Sequence, residues 1–384
     1  MLQIDLQGGF GEKGRTSIAV QDGETRLMFD AGIKVGASGD EYYPVLERPV
    51  AEIDALFISH AHEDHIGALC RLIGLGYRGP VYMTAETRHE MPATLAQYAD
   101  RNDLRDFSPP DEQIRIFTAG EQLEIGGMTV LTGASGHVAG GVWFAVAAGG
   151  KRLVYAADMV PASGVFHMAP LPACDVLILD CSYGGDVVAA PERAREIAQW
   201  VAARPGGCLL PTPLSGRSLE LMAALDMPFA IEAGMRGRLG EQIESPGALH
   251  PQALERLRKR LAAAIDWNEG DPLPSCPLIV HDGMGVAGPA RSAIAAADAV
   301  DFPILLTGHL PKGSPAAILE EKGRADWIRM PTHPTLPENA ALWEKAGRPV
   351  VLGHSCETAV LEEMKTAIPA LQTGLRTGQS HIID

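Results

Sequence analysis

The chain has 384 residues, enough for two domains with cores of their own, and its 46% hydrophobic and 21% charged residues are ordinary for a globular protein. Its formal net charge of −16 argues against an extended, nonspecific grip on duplex nucleic acid, which calls for a basic footprint, but leaves open a deep site that brings metal charge of its own. No apolar run approaches the roughly 18–20 residues of a membrane span, and no basic leader precedes the first strand pattern, so a cytoplasmic protein with no membrane partner is expected.

Residues 2–6, 16–20 and 26–30 alternate or run apolar between glycine-rich turns, which predicts antiparallel strands of a first sheet. Asp30 ends the third of them, and two readings stand side by side: a turn residue, or a carboxylate that supports a neighbouring loop. Residues 34–49 have no clear period and are expected to line a cleft mouth. Ala55-Leu56-Phe57-Ile58 then reads as a buried strand and Ile66-Gly67-Ala68-Leu69 as the first turn of a helix. Between them lies Ser59-His60-Ala61-His62-Glu63-Asp64-His65. Imidazole nitrogens and carboxylate oxygens are the donors that borderline divalent metals prefer, and alternate residues of one loop can turn two histidines to one ion and the next pair to a second. A metal centre is expected here.

This motif, with Phe29-Asp30-Ala31-Gly32 upstream, resembles the metal-binding motif of the metallo-β-lactamase superfamily. The resemblance implies an αββα sandwich holding one or two metals at the edge between its sheets. That superfamily includes lactamases, glyoxalases, lactonases and nucleases, so the motif speaks for a hydrolase without choosing the substrate.

A helix, a strand over 80–84 and a helical stretch over 86–101, interrupted by Pro92, are expected next. A strand then runs from Thr129 through small residues to His137, and strands over 142–147 and 152–156 form a hairpin around Gly149-Gly150. Asp158 ends that hairpin. Together His137 and Asp158 match the superfamily's later ligands, a third histidine and a bridging aspartate. Asp175-Val176-Leu177-Ile178-Leu179-Asp180-Cys181-Ser182-Tyr183-Gly184 resembles the acidic strand end that opens the β-CASP insertion of the nuclease branch.

From about 185 to 345 the pattern changes to strand, glycine loop and helix. Helices are expected over 191–203 and 251–267, the latter with a stripe of Leu254, Leu257, Leu261 and Ile265. Strands over 208–213, 278–282 and 304–307 lead through Leu214-Ser215-Gly216-Arg217, Gly283-Met284-Gly285 and Gly308 to Gly313-Ser314, and three such crossovers predict a parallel sheet. The glycine spacing from Gly283 to Gly288 matches a dinucleotide fingerprint, but the next strand lacks the acidic residue that would meet a ribose. These stretches instead resemble β-CASP segments. Ser215, Gly216, Arg217, Gly283, Met284, Gly285, Gly308, Gly313 and Ser314 become candidates for a phosphate cradle, because helix N-termini after glycine loops offer free N–H groups to anions.

Near the end, His333 resembles the family's general acid and His354 its last metal ligand, although Thr332-His333-Pro334 and His354-Ser355-Cys356 depart from the usual flanking residues. The fold expected is therefore α/β: a metallo-β-lactamase sandwich in two parts, 1–184 and 346–384, split by a parallel α/β β-CASP domain over 185–345. Residues 357–376 are expected to form a helix returning to the sandwich. The resemblance implies that His60, His62 and His137 hold one metal and that Asp64, His65 and His354 hold another. Asp158 bridges them, Asp64 orients the attacking water, and His333 is held by Asp180 as acid. Two divalent ions follow, zinc first and manganese as the alternative.

The function expected is phosphodiester hydrolysis, with single-stranded RNA ahead of DNA as substrate. The alternatives are a small-substrate hydrolase acting on a cyclic nucleotide, lactam or lactone, or a noncatalytic scaffold of an RNA-processing complex. Cys70, Cys174, Cys181, Cys208, Cys276 and Cys356 show no Cys-x-x-Cys spacing and read as reduced thiols. Crowded alanines and leucines on several helices would suit a homodimer face or the core equally.

Overall fold

The computed structural model describes residues 2–383. Two seven-stranded mixed sheets face each other. The first runs, in spatial order, Gln379–Ile383, Leu2–Gly8, Ser17–Asp22, Thr25–Phe29, Ala55–Phe57, Val81–Met83 and Ile114–Ile116. The second runs Leu371–Gln372, Val350–His354, Val176–Asp180, Lys151–Tyr155, Val142–Ala148, Met128–Ala134 and Gln122–Ile125. Inward-facing residues of both sheets, among them Phe29, Phe57, Phe144 and Tyr155, form the central core. Phe29 stacks on Phe57 and meets Phe144 at ring centroids 5.2 Å apart, so aromatic contact holds the sheets together at the end nearest the histidines.

Each sheet buries its outer face under helices. Ile66, Leu69, Leu72, Met91 and Leu95, from the helices Glu63–Ile66, Leu69–Gly74 and Ala85–Tyr98, cover the first. Leu342 and Leu361, from Leu336–Lys345 and Thr358–Met364, pack in the cluster over the second. This is the expected αββα sandwich. Between Asp180 and Leu336 the chain builds a separate four-stranded parallel sheet, ordered Cys208–Pro211, Pro277–Val280, Ala230–Glu232, Ile265–Trp267, flanked by helices. Ile304 bridges Leu209 in parallel, so the short strand Leu305–Leu306 extends that sheet.

Three local expectations differ, and one strand was not expected. Pro92 does not interrupt its helix: Ala85–Tyr98 runs through it, anchored by buried Met91 and Leu95. The helix from Pro251 ends at Ala263, and Ile265 leaves the helical stripe for a strand paired with Ala230–Glu232, where it is exposed. The stretch 357–376 is helical only over Thr358–Met364, because Pro369 cannot continue a helix and Leu371–Gln372 joins the second sheet instead. The strand Gln379–Ile383, which pairs antiparallel with Leu2–Gly8, had too polar an alternation to stand out.

Candidate metal centre

The strand Ala55–Phe57 delivers Ser59 to His65 to the rim of the sandwich, where the strands that carry His137, Asp158, Asp180 and His354 also end. Parallel pairing of Val176–Asp180 with Val350–His354 sets Asp180 directly beside His354. Backbone bonds clamp the histidine loop to the segment after Asp30 and to Thr16: Ala31 N donates to His65 O (2.7 Å), Ile33 N to Glu63 O (3.0 Å) and Thr16 N to Asp64 O (2.8 Å). Gly32 lies against this loop so closely that a Cβ there would sit 1.7 Å from Asp64 O. Gly32→Ala should therefore cost about 1–3 kcal/mol, read as a fall in the chemical-denaturation midpoint; an unchanged midpoint would show that the loop yields freely.

Ring nitrogens converge. His62 Nδ1 lies 3.1 Å from both His60 Nε2 and His137 Nε2, and Asp158 Oδ2 is 3.8 Å from the first and 3.6 Å from the last. Next to this group, Asp158 Oδ1 is 3.2 Å from His65 Nε2, and Asp64 Oδ2 is 3.9 Å from the same nitrogen. Asp158 thus belongs to two donor groups, His60/His62/His137/Asp158 and Asp64/His65/Asp158, and to a third with Asp180 and His333. His354 stands outside these tight groups, with its buried Nε2 unpartnered and its Nδ1 2.9 Å from Ser355 Oγ.

The second nitrogens are tied down, which fixes how the first ones are aimed. Asp30 decides between its two readings by geometry: Oδ2 accepts from Ser59 Oγ, Tyr155 OH and His65 Nδ1, each at 2.7 Å, and Oδ1 accepts from Ser59 N at 2.7 Å. It braces the loop. His137 Nδ1 donates to Thr332 O at 2.8 Å, leaving Nε2 to face the centre. Such outer partners set the tautomer and orientation of a metal-binding imidazole.

The donor chemistry fits divalent ions. His65 Nε2, His354 Nε2 and Asp158 Oδ1 are buried without hydrogen-bond partners, and each orphaned polar atom costs about 1–3 kcal/mol unless something meets it. Burial, with repulsion among the rings, holds His60 and His62 well below the ordinary histidine range, and burial brings His137 down to about 4. These three imidazoles are therefore neutral near pH 7 and offer lone pairs without releasing a proton. For His65 burial also pulls down, but Asp158, Asp64 and Asp30 outweigh it and hold the ring well above the usual value. Metal binding there displaces a proton, so affinity at that position rises with pH.

His333 faces this centre from the segment before Leu336–Lys345. Its Nδ1 lies 2.8 Å from Asp180 Oδ2 and 3.8 Å from Asp158 Oδ2. Burial lowers its pKa, and the two carboxylates more than reverse that, so it titrates above the ordinary value. Beside it opens a cavity of about 330 Å³ lined by Lys13, Tyr183, Arg217, His309, Trp327 and Arg329, among others. Arg217 Nη2 reaches Thr332 Oγ1 at 3.3 Å, its buried Nε has no partner, and neither Arg217 nor Lys13 has a carboxylate partner among the described residues. Lys13, Trp327 and Arg329 escaped the sequence reading; the only hint was a lone lysine inside the glycine-rich turn Gly11-Glu12-Lys13-Gly14.

The other proposed cradle residues divide. Gly216 packs against the His137 carbonyl, where a Cβ would come within 2.8 Å, and Gly308 packs against the Arg217 guanidinium. Ser215 is buried beside them. The loop of Gly283, Met284 and Gly285 is a different matter: Asp282 folds its carboxylate back and accepts from the N–H groups of Met284 and Gly285 at 2.6 Å and Ala287 at 3.0 Å. Those donors are spent on the chain's own carboxylate and do not form an anion cradle. Ser314 Oγ accepts from Ala317 N and caps its helix, and neither it nor Gly313 lines the cavity beside His333.

Among the described residues no helix is long and apolar enough to cross a membrane. Comparison with known proteins agrees with the geometry. A solved structure of a protein of unknown function from Enterococcus faecalis V583 matches over 100% of both chains with a TM-score of 0.60 at 13% identity, a likeness of fold. The chain is 31% identical over 298 residues to Transcription termination factor FttA of Methanococcus maripaludis, covering 70% of this chain and 46% of that one. It is 30% identical over 244 residues to Cleavage and polyadenylation specificity factor 73 of Drosophila melanogaster (59% and 36%), and 28% identical over 237 residues to a ribonuclease of Thermus thermophilus (56% and 55%). The chain thus spans about a third to a half of these relatives' lengths. The family model of the metallo-beta-lactamase superfamily matches residues 11–225. The chain belongs to the metallo-beta-lactamase superfamily, in its β-CASP branch.

Proposed function

We propose that this protein is a dinuclear-metal phosphodiester hydrolase that cleaves single-stranded RNA. The observation that carries the reading is the placing of His333, held by Asp180, against the shared carboxylate Asp158, with a cationic cavity opening beside it. In a chain of net charge −16, a half-buried guanidinium and a half-buried ammonium group, Arg217 and Lys13, without carboxylate partners among the described residues speak for an anionic substrate. Names of relatives that include a ribonuclease and a cleavage factor support RNA.

His60, His62, His137 and Asp158 would hold one ion, and Asp64, His65, His354 and Asp158 the other. Zinc suits the first group, since nitrogens 3.1 Å apart approach the edge of a tetrahedron with zinc–nitrogen bonds of 2.0–2.1 Å, roughly 3.3 Å. When bound, the ions acidify water and neutralise charge on the phosphoryl oxygens. The chain's own residues do the rest. Asp64 orients the attacking water, and Lys13 and Arg217 bind phosphate next to the scissile bond. His333 keeps its Nδ1 proton on Asp180 and gives the proton on Nε2 to the departing sugar oxygen, leaving a 5′-phosphate on the other product. All six cysteines are free, which supports a reducing, cytoplasmic setting.

The test is cleavage of matched single-stranded RNA and DNA oligonucleotides, labelled at either end, by protein shown to hold two metals per chain. Metal-dependent RNA cleavage is expected, and the ladder distinguishes internal cuts from stepwise removal. Cleavage of neither polymer would overturn the reading, and turnover of a cyclic nucleotide by the same preparation would move it to a small-substrate hydrolase.

A further inference from the structure

A second cavity, of about 400 Å³, lies behind the segment that carries His333 and shares no lining residue with the one beside the metal ligands. It sits between two helices, Ala190–Ala202 and Arg217–Ala224. One wall is an alanine face at helical spacing, Ala190, Ala194 and Ala198; the other is Ala223 and Ala224, and Met330 and Pro331 lie at one side. Methyl-sized side chains on both helices leave open space between them, within the 300–1,000 Å³ range of small-molecule sites.

The cavity contains one polar group that the fold does not explain. Glu220 is 9% exposed, and its Oε1 accepts from Ser163 Oγ at 2.5 Å, while Ser163 Oγ accepts in turn from Val165 N and Phe166 N. Among the described residues the other carboxylate oxygen has no hydrogen-bond partner and no cation pairs with Glu220. Burial pushes its pKa up to about 7, so near neutral pH the carboxylate form needs a donor from elsewhere. Two guanidinium groups also line the cavity: Arg195, exposed and without an ion pair among the described residues, and Arg256, paired at 3.0 Å only with the largely exposed Asp226.

An alanine-walled cavity, a buried carboxylate and two guanidinium groups together complement a heterocycle with N–H donors on its edge and a phosphate attached. We propose that this cavity is a second nucleotide site, taking a purine nucleoside monophosphate with its base N–H groups on Glu220 and its phosphate on Arg195 and Arg256. Guanine fits best, since it sets a ring N–H beside an amino group. The site lies apart from the metal ligands and does not depend on the nuclease reading.

The test is calorimetric titration of GMP, with UMP alongside, into the full chain stripped of metal by a chelator. Saturable one-to-one binding of GMP is expected, tighter than UMP. Glu220→Gln keeps the shape and the bond from Ser163, and Arg195→Glu reverses a charge on the surface. Each should weaken GMP by about tenfold or more, as loss of a charge-assisted hydrogen bond does. Ala194→Leu, on a half-buried position, should fill the cavity and abolish binding while the circular-dichroism melt stays within a few degrees of wild type. Absence of GMP binding, or binding that all three substitutions leave intact, would overturn the proposal. Because nothing need be cleaved, that outcome leaves the hydrolase reading to its own test.

Discussion

Exchanging His333 for alanine should slow single-turnover cleavage of RNA by about 10²–10⁴-fold, the usual contribution of a positioned general acid. Affinity for RNA and metal content should hardly change, because phosphate contacts and metal ligands lie on other residues. The pH dependence separates this from a structural effect. Burial lowers the His333 pKa, but Asp180 at 2.8 Å and Asp158 at 3.8 Å more than offset it, so the ring holds its proton to higher pH than an ordinary histidine. The wild-type rate should therefore hold near neutrality and fall as pH rises through that elevated pKa. In the variant this alkaline limb should vanish along with most of the rate. Asp180→Asn should shift the limb to lower pH, since the carboxylate that favours the imidazolium is gone. A variant rate within a few-fold of wild type, with the limb in place, would remove His333 from the chemistry.

Asp158→Ala should have the larger effect, with loss of bound metal and cleavage reduced by more than about 10³-fold. Among the described residues no other carboxylate faces so many imidazoles: it lies within 3.2–3.8 Å of nitrogens on His60, His65, His137 and His333. Its own pKa is a balance. Burial would raise it, and His65 and His333 outweigh burial and hold it well below the ordinary aspartate value. Stability from this group is thus present above the normal carboxyl range and lost as pH falls through the depressed value. Without it, His65 and His333 each lose one counter-charge, and both donor groups lose the carboxylate they share. Metal analysis should show a fall from two ions per chain to one or none. Adding metal should raise the melting temperature of wild type by the linkage RT ln(1 + [L]/Kd), about 4 kcal/mol at a thousandfold excess over Kd, and should leave the variant unmoved. A variant that keeps two ions and a near-normal rate would contradict the shared-carboxylate reading.

How much of this could be read from the chain depended on how far apart the parts lie. His60, His62, Asp64 and His65 stand in one loop between two apolar runs, so their meeting was visible locally. His137, Asp158, Asp180, His333 and His354 came through resemblance, since nothing within each segment says that the strand ends converge. The cationic cavity is built from segments around residues 13, 183, 217, 309 and 327, and only the folded chain brings their charges together. At Gly283 to Ala287 the glycines pointed to an anion cradle, and the preceding residue answered otherwise. Asp282 is an anion on the same strand end, and an intramolecular carboxylate reaches those N–H groups before any ligand can. The last strand eluded the reading because an edge strand buried on one side needs little apolar sequence.

One further consequence lies in the way the chain returns to the sandwich. Asn339, on the helix that packs over the second sheet, donates to the Asp180 carbonyl at 2.9 Å, and Asp180 in turn holds His333 at 2.8 Å, so the acid is braced from the sandwich while its own segment also bonds to the inserted domain, Met330 N donating to Thr307 O. Metal ligands and acid then form one inheritable unit. The stretch between about 186 and 329 contributes Arg217, His309 and Trp327 to the lining of the cavity beside His333. Exchange of that stretch between related chains would alter what is cut while leaving the bond-breaking apparatus unchanged, and variation among such enzymes should concentrate there.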